Sequence, residues 1–265
     1  MSKPRISWKE VVEHAAEIVE SYKSRITLRQ LFYRLVSDGT LPNTQNNYNH
    51  LSKVTAKARR EDGFPALEDR NRGIWQPESW EGPEEALDAI REQYRRDRTV
   101  GQPVQLLVGV EKDSLSSMLK DWLDEFGIPL LVLKGYASQT FKDEVARYVR
   151  ADERETILLF AGDHDASGHD LFADFVNRTG LECVERIAIT PGQIVQYKLP
   201  EYPGKATDPR ASGFISEYGA NIQVELDALP PDVLKRIVLE AVDRHWDDAV
   251  YESVLALEEE ERLLI

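Results

Sequence analysis
The sequence predicts an α/β protein, with an N-terminal winged helix-turn-helix region followed by a doubly wound parallel sheet. Three observations carry this. Apolar residues recur at helical spacing through residues 8–62, with a turn ahead of the third helix. From residue 104 the pattern changes to short apolar runs alternating with helical stretches, the signature of βαβ units. Basic charge is also concentrated near the start of an otherwise acidic chain.

Val11, Val12, Ala15, Ile18, Val19 and Tyr22 fall at helical spacing and predict a first helix over 8–23. Thr27 and Gln30 match a capping box, in which each side chain satisfies the other's backbone N–H, so a second helix opens there and stops near Asp38-Gly39. Leu41-Pro42-Asn43 is a turn. A third helix comes next over 44–62, ending at Gly63 before Phe64-Pro65. On it Tyr48, Leu51, Val54, Thr55 and Ala58 share one side. Asn46, His50, Lys53, Lys57 and Arg60 line another at steps of four and three. Amides that reach base edges beside cations that reach phosphates suit a helix in a major groove, so these five, with Arg34, are the expected DNA-binding residues; the plainer reading of the row is an ordinary solvated face. Residues 73–103 read as wing and linker, with a helix over 84–98.

The sheet is expected from strands at 104–110, 128–133, 156–161 and 184–190, separated by helices at 113–126, 138–150 and 167–179. In such sheets ligands sit beyond the C-terminal strand ends. Glu111 follows the first strand, and Asp163 and Asp165 follow the third. If those strands are neighbours, the three carboxylates converge. A turn-rich stretch at 200–219, a strand at 221–226 and helices after Pro230-Pro231 complete the chain, and Glu258–Glu261 reads as a solvated acidic helix end. The expected domains are therefore 1–75, a linker at 76–103, and 104–265.

The net charge of −14 argues against non-specific nucleic-acid binding by the chain as a whole. Residues 21–72, however, hold ten Lys or Arg against five Asp or Glu, leaving −19 for the rest. A basic segment in an acidic chain suits a localised phosphate-binding surface. No apolar run approaches membrane-spanning length and no secretory pattern opens the chain, so a cytoplasmic, non-membrane protein is expected. The single cysteine, Cys183, is expected to be a small buried hydrophobe, and it excludes both an intramolecular disulfide and a cysteine zinc site. No phosphate loop for ATP is present.

Two short runs carry chemistry. Arg29-Gln30-Leu31-Phe32-Tyr33-Arg34 puts a tyrosine one helical turn from an arginine. A free phenol titrates near pH ~10, so Tyr33 needs help as a nucleophile, and Arg29 is placed to favour the phenolate or hold a phosphate. Leu31 and Phe32 belong in the core. From spacing alone, Tyr33 reads equally as a half-buried aromatic with a surface hydroxyl. The second run, Asp163-His164-Asp165-Ala166-Ser167-Gly168, follows an apolar strand. Together with Glu111 it offers hard oxygen donors suited to Mg²⁺, which binds few carboxylates and keeps several waters. Plainer readings are an N-cap for Asp163, a loop acid for Glu111, and hydrogen-bonding roles for His164 and His169.

These residues resemble the A subunit of topoisomerase VI and its relatives, among them the meiotic double-strand-break protein and the short mini-A proteins. Arg29-Gln30-Leu31-Phe32-Tyr33 is similar to the family's Arg-x-x-(Tyr/Phe)-Tyr, whose last tyrosine attacks DNA. Val110-Glu111-Lys112 looks like the glutamate motif of a Toprim domain. Lys134-Gly135-Tyr136 with Thr140 looks like the Gly-Tyr-Pro stretch, and residues 163–168 resemble Asp-x-Asp-Pro-x-Gly. Ala137, Ala166 and Ser167 depart from the pattern. The resemblance covers roughly residues 8–190. It implies a winged-helix domain joined to a Toprim domain that binds Mg²⁺ through Glu111, Asp163 and Asp165. It further implies a homodimer in which Tyr33 of one protomer takes a 5′-phosphate from double-stranded DNA beside the acids of the other, with Arg29 positioning that phosphate. Any ATPase would be a separate B subunit, and the short stretch ahead of the first helix favours a mini-A-like protein. The rival expectations are a Toprim nuclease without a covalent intermediate, a non-catalytic winged-helix DNA-binding factor, and a haloacid-dehalogenase-like phosphatase with Asp163-His164-Asp165 as its aspartyl-phosphate site.

Overall fold
A computed structural model describes residues 6–22, 25–61, 63–68, 76–205 and 207–265. In chain order the elements begin with α1 (Trp8–Ser21), α2 (Leu28–Ser37), α3 (Gln45–Glu61) and α4 (Pro83–Gln93). A group of alternating strands and helices comes next: β1 (Gln105–Val110), α5 (Ser116–Leu123), β2 (Leu130–Val132), α6 (Gln139–Ala151), β3 (Thr156–Ala161), α7 (Ala166–Thr179) and β4 (Cys183–Ala188). The remainder comprises α8 (Pro191–Gln196), β5 (Tyr202–Pro203), α9 (Ala211–Tyr218), β6 (Ile222–Gln223), α10 (Pro231–Asp243) and α11 (Asp248–Arg262). The chain is thus mixed α/β. Among the described residues no helix is long and apolar enough to cross a membrane.

The backbone groups into two compact units. The first takes Met1–Arg72, Gly162–Asp170 and Ala188–Leu234, and the second Gly73–Ala161, Leu171–Ile187 and Lys235–Ile265. The expected domain boundary at residue 75 lies outside the described residues.

In the first unit, α1, α2 and α3 touch pairwise. Helix α1 buries Val11, Ala15 and Val19, the i, i+4, i+8 stripe of an amphipathic helix. The capping box forms as the sequence predicts: the Gln30 N–H donates to Thr27 Oγ1 at 3.2 Å and the Thr27 N–H to Gln30 Oε1 at 2.9 Å. Helix α2 ends at Gly39, whose φ of +80° an L side chain would resist. Gln30, Leu31, Phe32, Tyr33 and Leu35 are all buried, so α2 is enclosed on most sides. The region expected to be turn-rich contains α9, and the strand expected over 221–226 shortens to Ile222–Gln223, paired antiparallel with Tyr202–Pro203. A 3-10 turn, Leu226–Ala228, comes after it and packs against α2.

The second unit is built on a four-stranded parallel sheet of order β2-β1-β3-β4. Strands β1 and β3 are neighbours, in register from Gln105↔Thr156 to Val110↔Ala161, and every residue of both is buried. Continuous burial fits a strand covered on both faces, which is why these runs read as unbroken apolar sequence. Gly109 has a local reason: a Cβ there would meet Leu158 and Phe160 side-chain carbons at 3.2 Å. Leu107, Leu133, Val145, Leu158, Phe160 and Phe175 form the core, with Phe172 stacked on Phe160 at 3.8 Å between centroids. Because β1 has β2 on one side and β3 on the other, the connection direction reverses at their C-terminal ends, the position where open α/β sheets bind ligands. Glu111 leaves β1 at that position, its N–H donating to Ala161 O at 3.0 Å.

Three local expectations need correction. The helix expected over 84–98 stops at Gln93, because Tyr94, Arg96 and Arg98 bond instead to α11. Glu258 is accordingly not a solvated acid: it is 2 % exposed and meets Arg98 at 2.7 Å and Arg262 at 2.8 Å. Cys183 is not buried either. It opens β4 half-exposed, with Sγ 2.8 Å from Glu155 Oε1.

Candidate active site
Helix α2 places Arg29 and Tyr33 one turn apart on one face. The Arg29 Nη2 donates to Tyr33 Oη at 3.5 Å, a long hydrogen bond, and the guanidinium carbon stands 5.8 Å from the ring centroid. Tyr33 is buried, at 6 % exposure, whereas the Arg29 side chain keeps 48 % of its surface. The phenol is thus enclosed while its cationic partner stays half in water.

Two carboxylates that the sequence does not single out complete the cluster. Glu225 and Asp227 flank Leu226 on the 3-10 segment against α2. Arg29 Nη2 makes a close ion pair with Glu225 Oε2, and Arg29 Nε stands 3.6 Å from Asp227 Oδ2. Burial pushes the Tyr33 hydroxyl far above its ordinary value; the Glu225 charge adds to this and Arg29 opposes it. Burial alone would lower the Arg29 guanidinium, but Glu225, Tyr33 and Asp227 together hold it above its usual value. Tyr202, on β5, is pushed up to about 12 by burial and by Glu225. The resting tyrosine is thus a neutral phenol that needs a proton acceptor to become a nucleophile.

The acidic run reaches the same segment. The Leu226 N–H donates to Asp163 Oδ1 at 2.7 Å, while His164 and Val224 exchange backbone hydrogen bonds at 2.9 and 3.1 Å. Residues 224–227 therefore join the two runs: one edge fastens Asp163-His164, and the carboxylates on either side of Leu226 hold Arg29. Asp165 accepts from the Gly168 N–H at 2.7 Å and so caps the start of α7, the role considered for Asp163. Asp163 is 8 % exposed. His164 and His169 hydrogen-bond each other at 3.2 Å, and Tyr218 Oη meets His169 at 3.3 Å, with Phe214 closing the nest.

Among the described residues, no three or more His, Cys, Asp or Glu gather closely enough to hold a metal ion. Mg²⁺ takes only one or two carboxylates directly. Asp163 and Asp165 supply that donor chemistry, and each has one oxygen oriented by a backbone amide, as ligating carboxylates are. Glu111 belongs to the second unit.

The remaining expected residues lie on α3 and α2. Asn46, His50, Lys53, Lys57 and Arg60 are all exposed, along the side of α3 opposite the buried Leu51, Thr55 and Ala58. His50 packs its ring against Trp8 at 4.1 Å between centroids, and Lys57 stands 3.6 Å from Glu61. Arg34 is half-buried.

A cavity of about 350 Å³ opens beside α2, lined by Arg29, Phe32, Tyr33, Tyr48, Tyr202 and Glu225 among others. Glu225, Asp227 and Tyr202 carried no motif. Their only sequence signal is a pair of acids two residues apart after a short apolar run, a pattern shared by many surface turns. A comparison with models of known protein families finds none that matches the chain, and a comparison with curated proteins finds no match either.

Proposed function
We propose that the chain is a DNA-cleaving and rejoining protein of the type IIB topoisomerase A-subunit kind, with winged-helix and Toprim parts as its resemblance implies. The observation that carries this reading is the Arg29–Tyr33 pair on α2, beside a cavity and held by carboxylates on the segment that also fastens Asp163. In the proposed reaction the Tyr33 oxygen forms a bond to the phosphorus of a DNA phosphodiester and the bond to the 3′-oxygen breaks. The product is a 5′-phosphotyrosyl link and a free 3′-hydroxyl, and the reverse attack restores the strand.

The residues have separable tasks. Tyr33 loses its proton as it attacks, and Glu225, which faces the hydroxyl, is the acceptor in reach. Arg29 can meet a phosphate with its exposed half while Glu225 holds the rest, because a guanidinium carries five N–H donors. Magnesium, if held by Asp163 and Asp165, would supply stabilisation of charge developing on the phosphoryl oxygens; Glu111 belongs to this reading through the resemblance alone. The exposed row Asn46, His50, Lys53, Lys57 and Arg60, with Arg34, supports docking on double-stranded DNA. A homodimer and a separate ATPase partner belong to this reading through the resemblance alone.

The neutral resting phenol, with Arg29 already occupied by carboxylates, favours one rival: a DNA-binding factor that does not cut. The test is to incubate the protein with uniformly labelled supercoiled DNA and Mg²⁺, stop with detergent, digest the DNA with nuclease, and measure label retained on protein. The cleaving reading requires retained label that Tyr33→Phe abolishes. Cleavage without retained label supports a nuclease, and binding without cleavage supports the DNA-binding factor.

A further inference from the structure
We propose that the cavity beside Tyr33 is a pocket for a single nucleobase turned out of a nucleic-acid strand, and that it prefers guanine. Its duplex form rests on the reading above that this site handles DNA. At about 350 Å³ the cavity lies at the small end of ligand sites and suits one nucleotide, not a double helix. Phe32, Tyr33, Tyr48 and Tyr202 supply four aromatic rings, with Phe32 and Tyr48 edge to face at 5.4 Å. Aromatic walls are what bind a base removed from its stack, since every base offers a flat π-face. Amides from Asn43, Gln45 and Gln223 line the same space.

The preference follows from Glu225. Its carboxylate, fixed by Arg29, is an acceptor-only group at the cavity wall. Guanine alone among the DNA bases presents two adjacent N–H donors on its pairing edge. Adenine and cytosine each pair a donor with a ring acceptor, and thymine places its one N–H between two carbonyls. With Arg29 half exposed, the attached phosphate can remain beside the guanidinium while the base enters.

The experiment is calorimetric titration of the full chain, without metal, with deoxyguanosine, deoxyadenosine and deoxycytidine. Deoxyguanosine should bind about tenfold or more tightly than the others, the discrimination expected of a two-donor contact. Glu225→Gln should erase that preference, and Tyr48→Ala should weaken all three nucleosides about tenfold through lost stacking. A duplex with one unpaired guanine should bind more tightly than its fully paired counterpart, because extrusion is then less costly. Equal binding of guanine and adenine nucleosides, no binding, or indifference to both variants overturns the proposal. Free deoxyguanosine monophosphate binding better than the unpaired duplex overturns the strand as source. None of these measurements requires cleavage. Nucleoside selectivity without a covalent adduct therefore removes only the cutting reaction, and an adduct without selectivity removes only the pocket.

Discussion
Each unit contains an arginine–carboxylate cluster, and the two are built in opposite ways. In the second unit Arg96, Arg98 and Arg262 surround Glu258 and Glu261, with distances of 2.6–2.8 Å, and Glu258 is buried. In the first unit Arg29 meets Glu225 and Asp227 beside an open cavity and a buried tyrosine. A cluster built around one buried carboxylate holds the polypeptide. A cluster at a cavity, with an arginine half in water, leaves that arginine open to whatever enters. The same residue types thus serve stability in one place and, in the proposed function, chemistry in the other.

The contrast is sharpest in what removal of each glutamate should do. Glu258→Gln leaves Arg98 nearly buried without its charged partner and replaces one of two acceptor oxygens, shared by Arg98 and the Arg96 N–H, with a donor amide. We expect a loss of about 3 kcal/mol in urea unfolding, the scale for breaking a buried ion pair. Thr27→Ala, which deletes half of the capping box, should cost about 1 kcal/mol and leave the Arg29–Tyr33 geometry within α2. Glu225→Gln should cost less than about 1 kcal/mol, because Arg29 stays half in water. Its signature is spectroscopic: the ultraviolet titration of Tyr33 should move down, since a group that raises the hydroxyl's pKa has gone. An equal stability loss from Glu225→Gln and Glu258→Gln would break the comparison.

The smallest effect is expected at His14, whose Nε2 meets Asp38 Oδ2 at 2.8 Å. The hydrogen bond to Asp38 raises His14 above its value of 6.5 against the opposing effect of burial, and Asp38 lies below 3.8 although burial opposes this. The raised histidine contributes stability that is full below pH 6.5 and is lost as pH rises through the folded value. The lowered aspartate contributes stability present above 3.8 and lost as pH falls. His14→Ala should therefore flatten the decline in stability above pH 6.5, measured by denaturant midpoints at successive pH values.

Much of the fold is legible because its signals are local. The capping box at Thr27 and Gln30, the stop at Gly39, and the unbroken apolar runs of β1 and β3 all form where the residues place them. So does the exposed row on α3. The misses share a physical cause, which is distant partnership. The helix expected to reach residue 98 is overridden by Glu258 and Glu261, some 160 residues away in sequence. The α2 site shows the same thing: Arg29 and Tyr33 are readable from one helical turn, but Glu225 lies 196 residues from Arg29 and carries no motif. Periodicity reports which face a residue takes. It does not report which charge comes to meet it.

The most direct measurement is to locate the covalent link itself. Trypsin cuts after Arg29 and Arg34, so Tyr33 falls in the short peptide Gln30–Arg34. After reaction with DNA and Mg²⁺, nuclease trimming and trypsin digestion, mass spectrometry should find that peptide carrying a 5′-linked nucleotide on Tyr33. DNA cleaved under the same conditions with only the unmodified peptide, or with the nucleotide on another residue, would contradict the assignment of Tyr33 as nucleophile.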